Sequence, residues 1–304
     1  MTSHLSAALR ARIRGEILRD EPMARHTSLK VGGPADFFVI PADRDDLQAL
    51  MALLTETGTP HLVVGGGFNL LVRDGGIRGV VVSLAHLTAM ERLADNRVRV
   101  GAGVGNGELV RFLTAEGLAG LEFLSCIPGT LGGALAMNAG AHGGSTLDRL
   151  EELVTLRDGA FRRAARGEIE YGYRFLRLAE GEVIVEASFR LEPGTPEEIA
   201  ARVEEYRAHR AASQKVGFPN AGSFFKNPAG MAAWRLIDDA GLRGSSVGGA
   251  QVSEVHTNFL VNRGGATAAD FLTLAGRIKG AVKLKTGTAL EEEVRIVGEE
   301  QLRN

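Results

Sequence analysis

The chain has 304 residues, which is enough for two or three domains of ordinary size. Its 44% hydrophobic and 24% charged residues are typical of a folded globular protein and exclude an extended disordered chain. A formal net charge of −2 argues against nucleic-acid binding, since such binders usually carry a basic face, so we expect no nucleic-acid partner.

The single cysteine and the lack of long apolar runs narrow the class of protein further. Cys126 alone cannot form an internal disulfide or a cysteine-based zinc site, and we predict no bound metal. No apolar run reaches the roughly 18 residues that cross a membrane. The arginine-rich N-terminus lacks the apolar stretch of a signal peptide. We therefore expect a cytoplasmic protein that does not insert into membranes.

Apolar periodicity and turn signals predict an alternation of strands and helices after an amphipathic surface helix over 1–20. In chain order they predict a strand at 36–40, a helix at 43–58, strands at 61–64, 79–84 and 97–101, a helix at 106–117, strands at 153–157 and 182–190, helices at 195–212 and 267–283, and a final strand at 293–297. Asp43 is the expected N-cap of the second helix, and Thr195 with Glu198 predicts a capping box. The preceding Glu192-Pro193-Gly194 is the expected domain boundary.

Glycines cluster in three loops of the first half of the chain. They are Gly65-Gly66-Gly67 after a short apolar strand, the run 101–107 with four glycines, and the run 127–133 with three. A backbone without Cβ atoms can approach a ligand closely and point several N–H groups at an anion. Three such loops close together in sequence predict that a large phosphate-bearing cofactor binds across this half of the protein.

Two further motifs present polar side chains beside aromatic ones. In the run 220–228, Ser223 follows a glycine turn and precedes two phenylalanines, a lysine and an asparagine. Tyr171-Gly172-Tyr173-Arg174 places an arginine beside two tyrosines. From the residues alone, a structural turn with a capping serine and a surface arginine stacked on a ring also explain these motifs.

A third motif, 290–296, combines acidic and basic residues with apolar ones. Strand alternation places Glu293 and Arg295 on one face and the apolar residues on the other. A solvent-facing ion pair of little energetic value explains this pattern as well.

Taken together, these motifs resemble the UDP-N-acetylenolpyruvoylglucosamine reductase (MurB) family. The resemblance extends from about residue 27 to 298 and includes the segments 26–35 and 137–140. The combination of 221–228 with the block 127–140 is much more specific than any glycine loop alone.

The resemblance implies an α+β fold. A two-part FAD-binding domain of the vanillyl-alcohol-oxidase (PCMH) type would be followed by a smaller α+β substrate-binding domain. We predict bounds of 1–20 for the N-terminal helix, 21–195 for the FAD-binding domain with subdomains 21–85 and 86–195, and 196–304 for the substrate-binding domain. The short stretch between Tyr173 and Ser223 resembles the family's shorter form, which lacks an inserted loop over the substrate.

The resemblance also implies the residues of the site. FAD would be bound by Gly65, Gly66, Gly67, Phe68, Asn69, Leu70, Ile127, Pro128, Gly129, Thr130, Gly132, Gly133, Asn138 and Arg174. The catalytic residues would be Arg174, Ser223 and Glu293. The substrate would be contacted by Tyr173, Lys215, Asn227, His256 and Arg295. Four positions depart from the family pattern, which usually has serine at Phe68, glycine at Cys126 and serine at Leu176, and in which proline is frequent at Lys215.

The implied reaction is the NADPH-dependent reduction of UDP-N-acetyl-3-O-enolpyruvylglucosamine to UDP-N-acetylmuramate in peptidoglycan precursor synthesis. NADPH and a UDP-sugar are therefore the expected small-molecule partners, with FAD as the bound cofactor. Hydride would pass from flavin N5 to the terminal carbon of the enolpyruvyl group. Arg174 would stabilise the charge that develops on the carboxylate, Ser223 would donate a proton to the adjacent carbon, and Glu293 would be the other acid.

Two alternatives stay open. A different FAD-dependent oxidase or dehydrogenase would share the glycine loops but would need neither the run 222–228 nor Glu293. A non-catalytic nucleotide- or sugar-binding module would use the loops for phosphates alone.

Overall fold

The chain is divided between two structural units, and each unit is assembled from three separate stretches of sequence. The computed structural model describes residues 2–301. The first unit comprises the residues up to Arg19, Phe37–Gly66 and Gly79–Arg210. The second comprises Asp20–Asp36, Gly67–Arg78 and the residues from Ala211 onwards. The predicted domain bounds follow the chain linearly and stay a prediction.

The N-terminal helix is shorter than predicted. α1 spans Thr2–Arg12 and is followed by a strand over Glu16–Pro22, so the prediction of one helix over 1–20 is wrong beyond Arg12. Residue 1 of that prediction lies outside the described residues. Leu9 is fully buried and belongs to the core of the first unit. The helix is therefore part of the packed structure as well as of the surface.

The carboxylate of Asp46 explains where α1 ends. It accepts hydrogen bonds from the backbone amides of Arg14, Gly15 and Ala42, each at 2.9 Å. Asp46 itself is only 2% exposed. Because these amides are satisfied by a side chain far along the sequence, the chain leaves the helix and turns into the first strand.

The remaining helices follow in chain order, and three of them begin at a side-chain cap. They are α2 (Arg44–Glu56), α3 (Asn106–Ala115), α4 (Leu131–Ala136), α5 (Pro196–Gln214), α6 (Ala233–Asp239) and α7 (Ala268–Thr286). Short 3-10 turns lie at Met23–Arg25, Glu122–Cys126, Thr146–Arg149 and Arg166–Glu168. The predicted N-cap is confirmed, since Asp43 Oδ1 accepts the Asp46 amide at 2.9 Å. The predicted box is confirmed too, with Thr195 and Glu198 bonded reciprocally at 3.2 Å. Among the described residues, no helix has the length and apolar character needed to cross a membrane.

Two sheets carry the core of the first unit. A four-stranded sheet has the order Glu16–Pro22, Pro34–Ile40, Ile77–Ser83, His61–Val64, and a five-stranded antiparallel sheet has the order Ala160–Ala165, Leu150–Arg157, Val183–Arg190, Arg97–Gly101, Met90–Leu93. Phe37 and Val80 from the first sheet, Phe189 from the second and Leu50 from α2 are all buried in one hydrophobic cluster. The two sheets therefore share a continuous core.

The second unit is built around a small antiparallel sheet and α7. The strand order is Asn220–Ser223, Phe259–Asn262, Ala250–Val252, Ser246–Val247, and a separate parallel pair joins Leu70–Val72 to Arg295–Val297. Phe224, Phe225 and Phe271 are fully buried in its core. Leu29 and Leu71 belong to the same core although they precede the rest by more than a hundred residues in the sequence.

Three two-stranded ladders complete the first unit. They pair Gly140–Ala141 with Gly144–Ser145, Tyr171–Gly172 with Phe175–Leu176, and Leu118–Ala119 with Glu192–Pro193.

Most predicted strands are observed within three residues of their predicted bounds, and those at 61–64 and 97–101 coincide with the observed ones. The final strand begins at Arg295, so the prediction that Glu293 lies on its face is wrong. The amide of Glu293 instead donates to the Phe224 carbonyl at 2.8 Å. Glu293 therefore bonds to Phe224, whereas the strand Arg295–Val297 that follows it pairs with Leu70–Val72.

We expect Asp46→Ala to lower the free energy of unfolding by at least about 2 kcal/mol, because each hydrogen bond to a charged group contributes roughly 1.5–3 kcal/mol. Urea-induced unfolding at saturating FAD measures the change. Asp45→Ala is the matched control, since Asp45 is exposed in the same first turn of α2. Equal midpoints for the two variants would contradict the role given to Asp46.

Candidate active site

Backbone hydrogen bonds join two of the glycine loops along their length. The amide-to-carbonyl bonds run from Gly132 to Ala102 and from Leu131 to Val104, both at 2.8 Å, and from Asn106 to Gly129 at 2.9 Å. A Cβ on Gly132 would lie 3.0 Å from both the Cβ and the carbonyl oxygen of Ala102. The two loops can approach this closely because glycine has no side chain at that position.

Asn106 reinforces the same junction with its side chain. Its amide Nδ2 donates to the Ile127 carbonyl at 2.9 Å, and the residue is only 1% exposed. Among residues 2–301, its Oδ1 is buried without a hydrogen-bond partner. A buried amide oxygen of this kind is a ready acceptor for a group brought in by a ligand.

The third glycine loop, Gly65-Gly66-Gly67, contacts the run 127–133. A Cβ on Gly65 would lie 2.5 Å from the Thr130 hydroxyl oxygen, so Gly65 is pressed against the run 127–133. Gly65 and Gly66 are exposed, and Gly129 has a φ of +123° that side chains rarely adopt. These residues fit a bound dinucleotide, because bare backbone from separate loops and the orphaned Asn106 oxygen lie around one place in the first unit.

Asn138 joins this block to the segment that carries Arg174. Its Nδ2 donates to the Gly172 carbonyl at 2.9 Å, and its Oδ1 accepts the Leu147 amide at 3.1 Å. The side chain is 6% exposed and the backbone has a φ of +39°. Asparagine tolerates this left-handed conformation better than most residues.

Arg174 is held in an unusual backbone conformation. Its φ is +63°, which costs a non-glycine residue roughly 1–2 kcal/mol. Its Nη2 donates to the Gly140 carbonyl at 3.2 Å, and its guanidinium carbon lies 5.0 Å from the centre of the Tyr173 ring. Strain of this kind concentrates at binding and catalytic sites, which supports a functional role for Arg174.

A cavity of about 370 Å³ opens at Arg174. It is lined by Asn138, Asp148, Tyr173, Arg174 and the residues of the hairpin 140–145 other than His142. Tyr173 is 56% exposed, so one aromatic face remains available beside a fixed cation. Predicted cofactor and substrate residues thus line one concave surface of the first unit.

The residues Gly67–Leu70 belong to the second unit. Gly67 has a φ of +67°, and a Cβ there would lie 1.9 Å from the His26 carbonyl oxygen, so only glycine fits. Phe68 is 41% exposed, which is unusual for a large apolar side chain. Leu70 begins the buried parallel strand.

Asn69 links this loop to the acidic C-terminal motif. Its Nδ2 donates to the Glu293 carbonyl at 3.0 Å, and its own carbonyl accepts the Arg295 amide at 3.1 Å. The amide of Glu293 reaches the Phe224 carbonyl, directly after Ser223. Within the second unit, the backbone thus brings together Asn69, Ser223 and Glu293.

Asn258 fixes the chain that follows Ser223. Its Oδ1 accepts the Phe225 amide at 3.0 Å and its Nδ2 donates to the Phe225 carbonyl at 2.8 Å. Ser223 pairs with Phe259 in the sheet, and the Phe259 ring lies 4.7 Å from that of His256. His256 is therefore close in the fold to the strand that carries Ser223.

The other predicted substrate residues are exposed. Lys215, Asn227 and Arg295 all lie on the surface of the second unit. Asn227 Oδ1 accepts the Ala233 amide at 3.0 Å, so this side chain also orients the start of α6. Arg174 belongs to the first unit, whereas Ser223 and Glu293 belong to the second.

Sequence reasoning missed the asparagines at 106 and 258. Each contacts a predicted site segment that lies more than twenty residues away in sequence, Asn106 at Ile127 and Asn258 at Phe225, and each is nearly fully buried. Asn106 stands inside a glycine run that the sequence singled out, which is the one signal that could have drawn attention to it.

Comparisons with known proteins identify the family of the chain. Residues 35–164 match the model of an FAD binding domain, and residues 214–297 match the C-terminal domain of UDP-N-acetylenolpyruvoylglucosamine reductase. The reductases of Geobacter metallireducens and Geobacter sulfurreducens are 72% and 69% identical over 300 residues, in each case 99% of this chain and 100% of the relative. The crystal structure of the reductase (MurB) from Thermus caldophilus is 36% identical with a TM-score of 0.80, covering 93% of this chain and 99% of that one.

The chain belongs to the UDP-N-acetylenolpyruvoylglucosamine reductase family. The predicted family, the α+β fold with an FAD-binding and a smaller C-terminal domain, and the class of FAD-dependent oxidoreductase are confirmed. The predicted cofactors, FAD and NADPH, are those of this reductase family. The assignment of individual site residues stays a prediction.

We expect Gly65→Ala to weaken FAD binding at least about tenfold. The new Cβ would overlap the Thr130 hydroxyl, and overpacking costs roughly 1–3 kcal/mol, of which about 1.4 kcal/mol corresponds to a factor of ten. Titration of the apoprotein with FAD, followed by flavin fluorescence, measures the dissociation constant.

Gly167→Ala is the matched control. Gly167 belongs to the same unit, and a Cβ there would have no atom within 4 Å. An unchanged affinity in Gly65→Ala would show that the contact between Gly65 and Thr130 does not shape the cofactor site.

Proposed function

We propose that this protein reduces UDP-N-acetyl-3-O-enolpyruvylglucosamine to UDP-N-acetylmuramate with NADPH, in the cytoplasm, as a step of peptidoglycan precursor synthesis. The observation that carries the proposal is the end-to-end similarity to reductases of that name at up to 72% identity. The joined glycine loops support it independently, because they provide the phosphate-binding backbone that a flavin dinucleotide needs.

FAD would be held by the exposed backbone of Gly65–Gly66 and by the run 127–133 in the first unit, with Phe68 and Asn69 as further contacts. When bound, it supplies the hydride chemistry of the reduction. The protein's part is to bind and orient the substrate, to stabilise developing charge and to deliver a proton.

Arg174 suits the stabilisation of charge. Reduction of a double bond conjugated to a carboxylate moves negative charge onto the carboxylate oxygens, and a guanidinium is permanently charged and shaped to bind two oxygens. The hydrogen bond to the Gly140 carbonyl and the Tyr173 ring hold this side chain in one place. An ordered cation needs little reorganisation when the charge develops.

Ser223 is the proposed proton donor. It ends the strand Asn220–Ser223 at one edge of the four-stranded sheet and is half-buried. A serine hydroxyl is a weak acid, so it can protonate only a strongly basic carbon, such as the one formed when the carboxylate-conjugated bond is reduced. Placement on an ordered strand favours delivery from a single face.

Glu293 is the proposed second acid of the site. Its backbone is fixed at both polar atoms, by the Phe224 carbonyl and by the Asn69 side chain. Such anchoring supports a role that depends on position: protonating the substrate, orienting it, or stabilising its enol form with Arg295.

The substrate carries a diphosphate and a carboxylate, which exposed cations and amides would bind. Lys215, Arg295 and Asn227 offer these groups in the second unit, and Tyr173 offers an aromatic surface in the first. His256 is partly buried against Phe259 and is suited to a directional hydrogen bond.

Beyond the single equivalent that reduces the bound flavin, the purified FAD-loaded protein should oxidise NADPH only when the enolpyruvyl nucleotide is present, with one NADPH consumed for each UDP-N-acetylmuramate formed. NADPH absorbance and product chromatography measure this ratio, and UDP-N-acetylglucosamine, which lacks the enolpyruvyl group, is the control. Oxidation of small alcohols instead would favour another flavoprotein activity. A colourless protein that takes up no FAD would favour a non-catalytic binding module.

Ser223→Ala should slow reduction of the substrate by about 10²–10⁴-fold, the usual contribution of a positioned proton donor. Bleaching of the bound flavin by NADPH alone should keep its wild-type rate. Stopped-flow absorbance separates the two half-reactions. Ser246→Ala, at the opposite edge of the same sheet, is the matched control. Wild-type reoxidation by the substrate in Ser223→Ala would remove Ser223 from the mechanism.

A further inference from the structure

Three side chains of α5 form a stripe along one face of the helix. Arg202, Tyr206 and Arg210 are spaced four residues apart, so they lie one above the other. Arg202 donates to the Glu122 carboxylate at 3.2 Å, the Tyr206 ring stacks on His142, and Arg210 donates to the Cys126 carbonyl. Each member of the stripe thus contacts a different point of another segment.

The contacted points lie on both sides of the proposed cofactor block 127–140. Glu122 and Cys126 belong to the 3-10 turn that leads directly into Ile127. His142 lies in the turn of the hairpin that begins at Gly140. One rigid helix therefore holds the block at its entrance and at its exit.

The entrance contacts are polar, and the Glu122 carboxylate is shielded from water although the Arg202 side chain is half exposed. Glu122 is 5% exposed, and its second carboxylate oxygen accepts the Gly120 amide at 2.9 Å, so the cation of Arg202 compensates a buried charge. Burial lowers the pKa of Arg210. A desolvated guanidinium depends strongly on its few hydrogen-bond partners, which here include the Cys126 carbonyl.

The exit contact is a close ring stack. The rings of His142 and Tyr206 are 4.1 Å apart with an angle of 8° between their planes, and His209 meets His142 edge-on at 5.3 Å. Burial, and then the neighbouring charge of His209, lowers the pKa of His142. The neutral imidazole that this favours packs against the phenol ring without a charge to desolvate.

The hairpin transmits this contact to the proposed catalytic arginine. Its first residue, Gly140, accepts the hydrogen bond from Arg174, and its last residue, Ser145, pairs with Gly140 across the ladder. A shift of His142 would therefore move the acceptor that orients Arg174.

We propose that Tyr206 and Arg210 of α5 are positioning residues that hold the FAD-binding block 127–140 in its binding geometry, Arg210 through the Cys126 carbonyl and Tyr206 through His142. The proposal rests on the assignment of the run 127–133 to the cofactor. The proposal does not require either residue to contact FAD or substrate.

The test is the affinity of the apoprotein for FAD, measured by flavin fluorescence, together with the visible circular dichroism of the bound flavin. Arg210→Met keeps the aliphatic stem but removes the donors, and we expect at least about a tenfold rise in the FAD dissociation constant. Tyr206→Ala and His142→Ala should each raise it about threefold or more and alter the flavin dichroism in the same way. Tyr206→Phe keeps the ring and should restore wild-type values.

Arg207→Met is the matched control. Arg207 directly follows Tyr206 in α5 but is exposed and does not belong to the stripe. His142 and Tyr206 act as a pair in this scheme, so the double variant should bind FAD no more weakly than the weaker single variant. His142 lies on the surface of a hairpin turn, so its alanine variant supplies a decisive measurement even if Arg210→Met does not fold.

Wild-type FAD affinity and dichroism in Tyr206→Ala and His142→Ala would overturn the proposal. The same holds if Tyr206→Phe is as defective as Tyr206→Ala, because the stack would then not be the cause. If Gly65→Ala weakens FAD binding while the α5 variants bind FAD normally, the positioning role of α5 is rejected and the assignment of the run 127–133 to the cofactor is kept. If none of these variants affects FAD, the assignment of the run 127–133 to the cofactor fails with it.

Discussion

The first unit depends on one close contact between two stretches of backbone. The runs 101–107 and 127–133 are joined by successive hydrogen bonds, and the absence of a side chain at Gly132 allows them to meet. Gly65 then closes against Thr130. Because these loops are hydrogen-bonded to one another, this part of their backbone is ordered before any ligand arrives. A backbone that is ordered in advance lowers the ordering cost of binding a ligand.

Neutral amides fasten several of the site segments in both units. Asn106, Asn138, Asn69 and Asn258 each donate to a backbone carbonyl of a neighbouring segment. An asparagine can donate and accept at once, so it substitutes for a missing strand or turn partner. It also adds no charge. The cations proposed to bind anionic groups are therefore not neutralised by the residues that position the loops.

The sequence was informative wherever the controlling interaction is local. The Asp43 cap and the Thr195–Glu198 box define helix starts within four residues, and both were predicted correctly. The end of α1 could not be predicted, because it is set by Asp46, more than thirty residues away. Glu293 was misplaced for a similar reason: its amide bonds to Phe224 rather than continuing the last strand.

In the candidate site too, the sequence predicted local features but not the long-range contacts. Glycine spacing was enough to indicate the loops, since close approach has a direct signature in composition. Which loops meet is decided by pairings such as Asn106 with Ile127, and a single sequence does not encode these in any short pattern. The family resemblance supplied the residue roles that spacing alone left open.

The discontinuous make-up of the second unit has a consequence for how the nascent protein matures. Its core includes Leu29 and Leu71 together with Leu290 and Val294. While the middle of this sequence is being translated, those early leucines lack the core partners that lie beyond residue 220. Apolar surface that is left uncovered in this way during synthesis favours aggregation, which chaperones counteract.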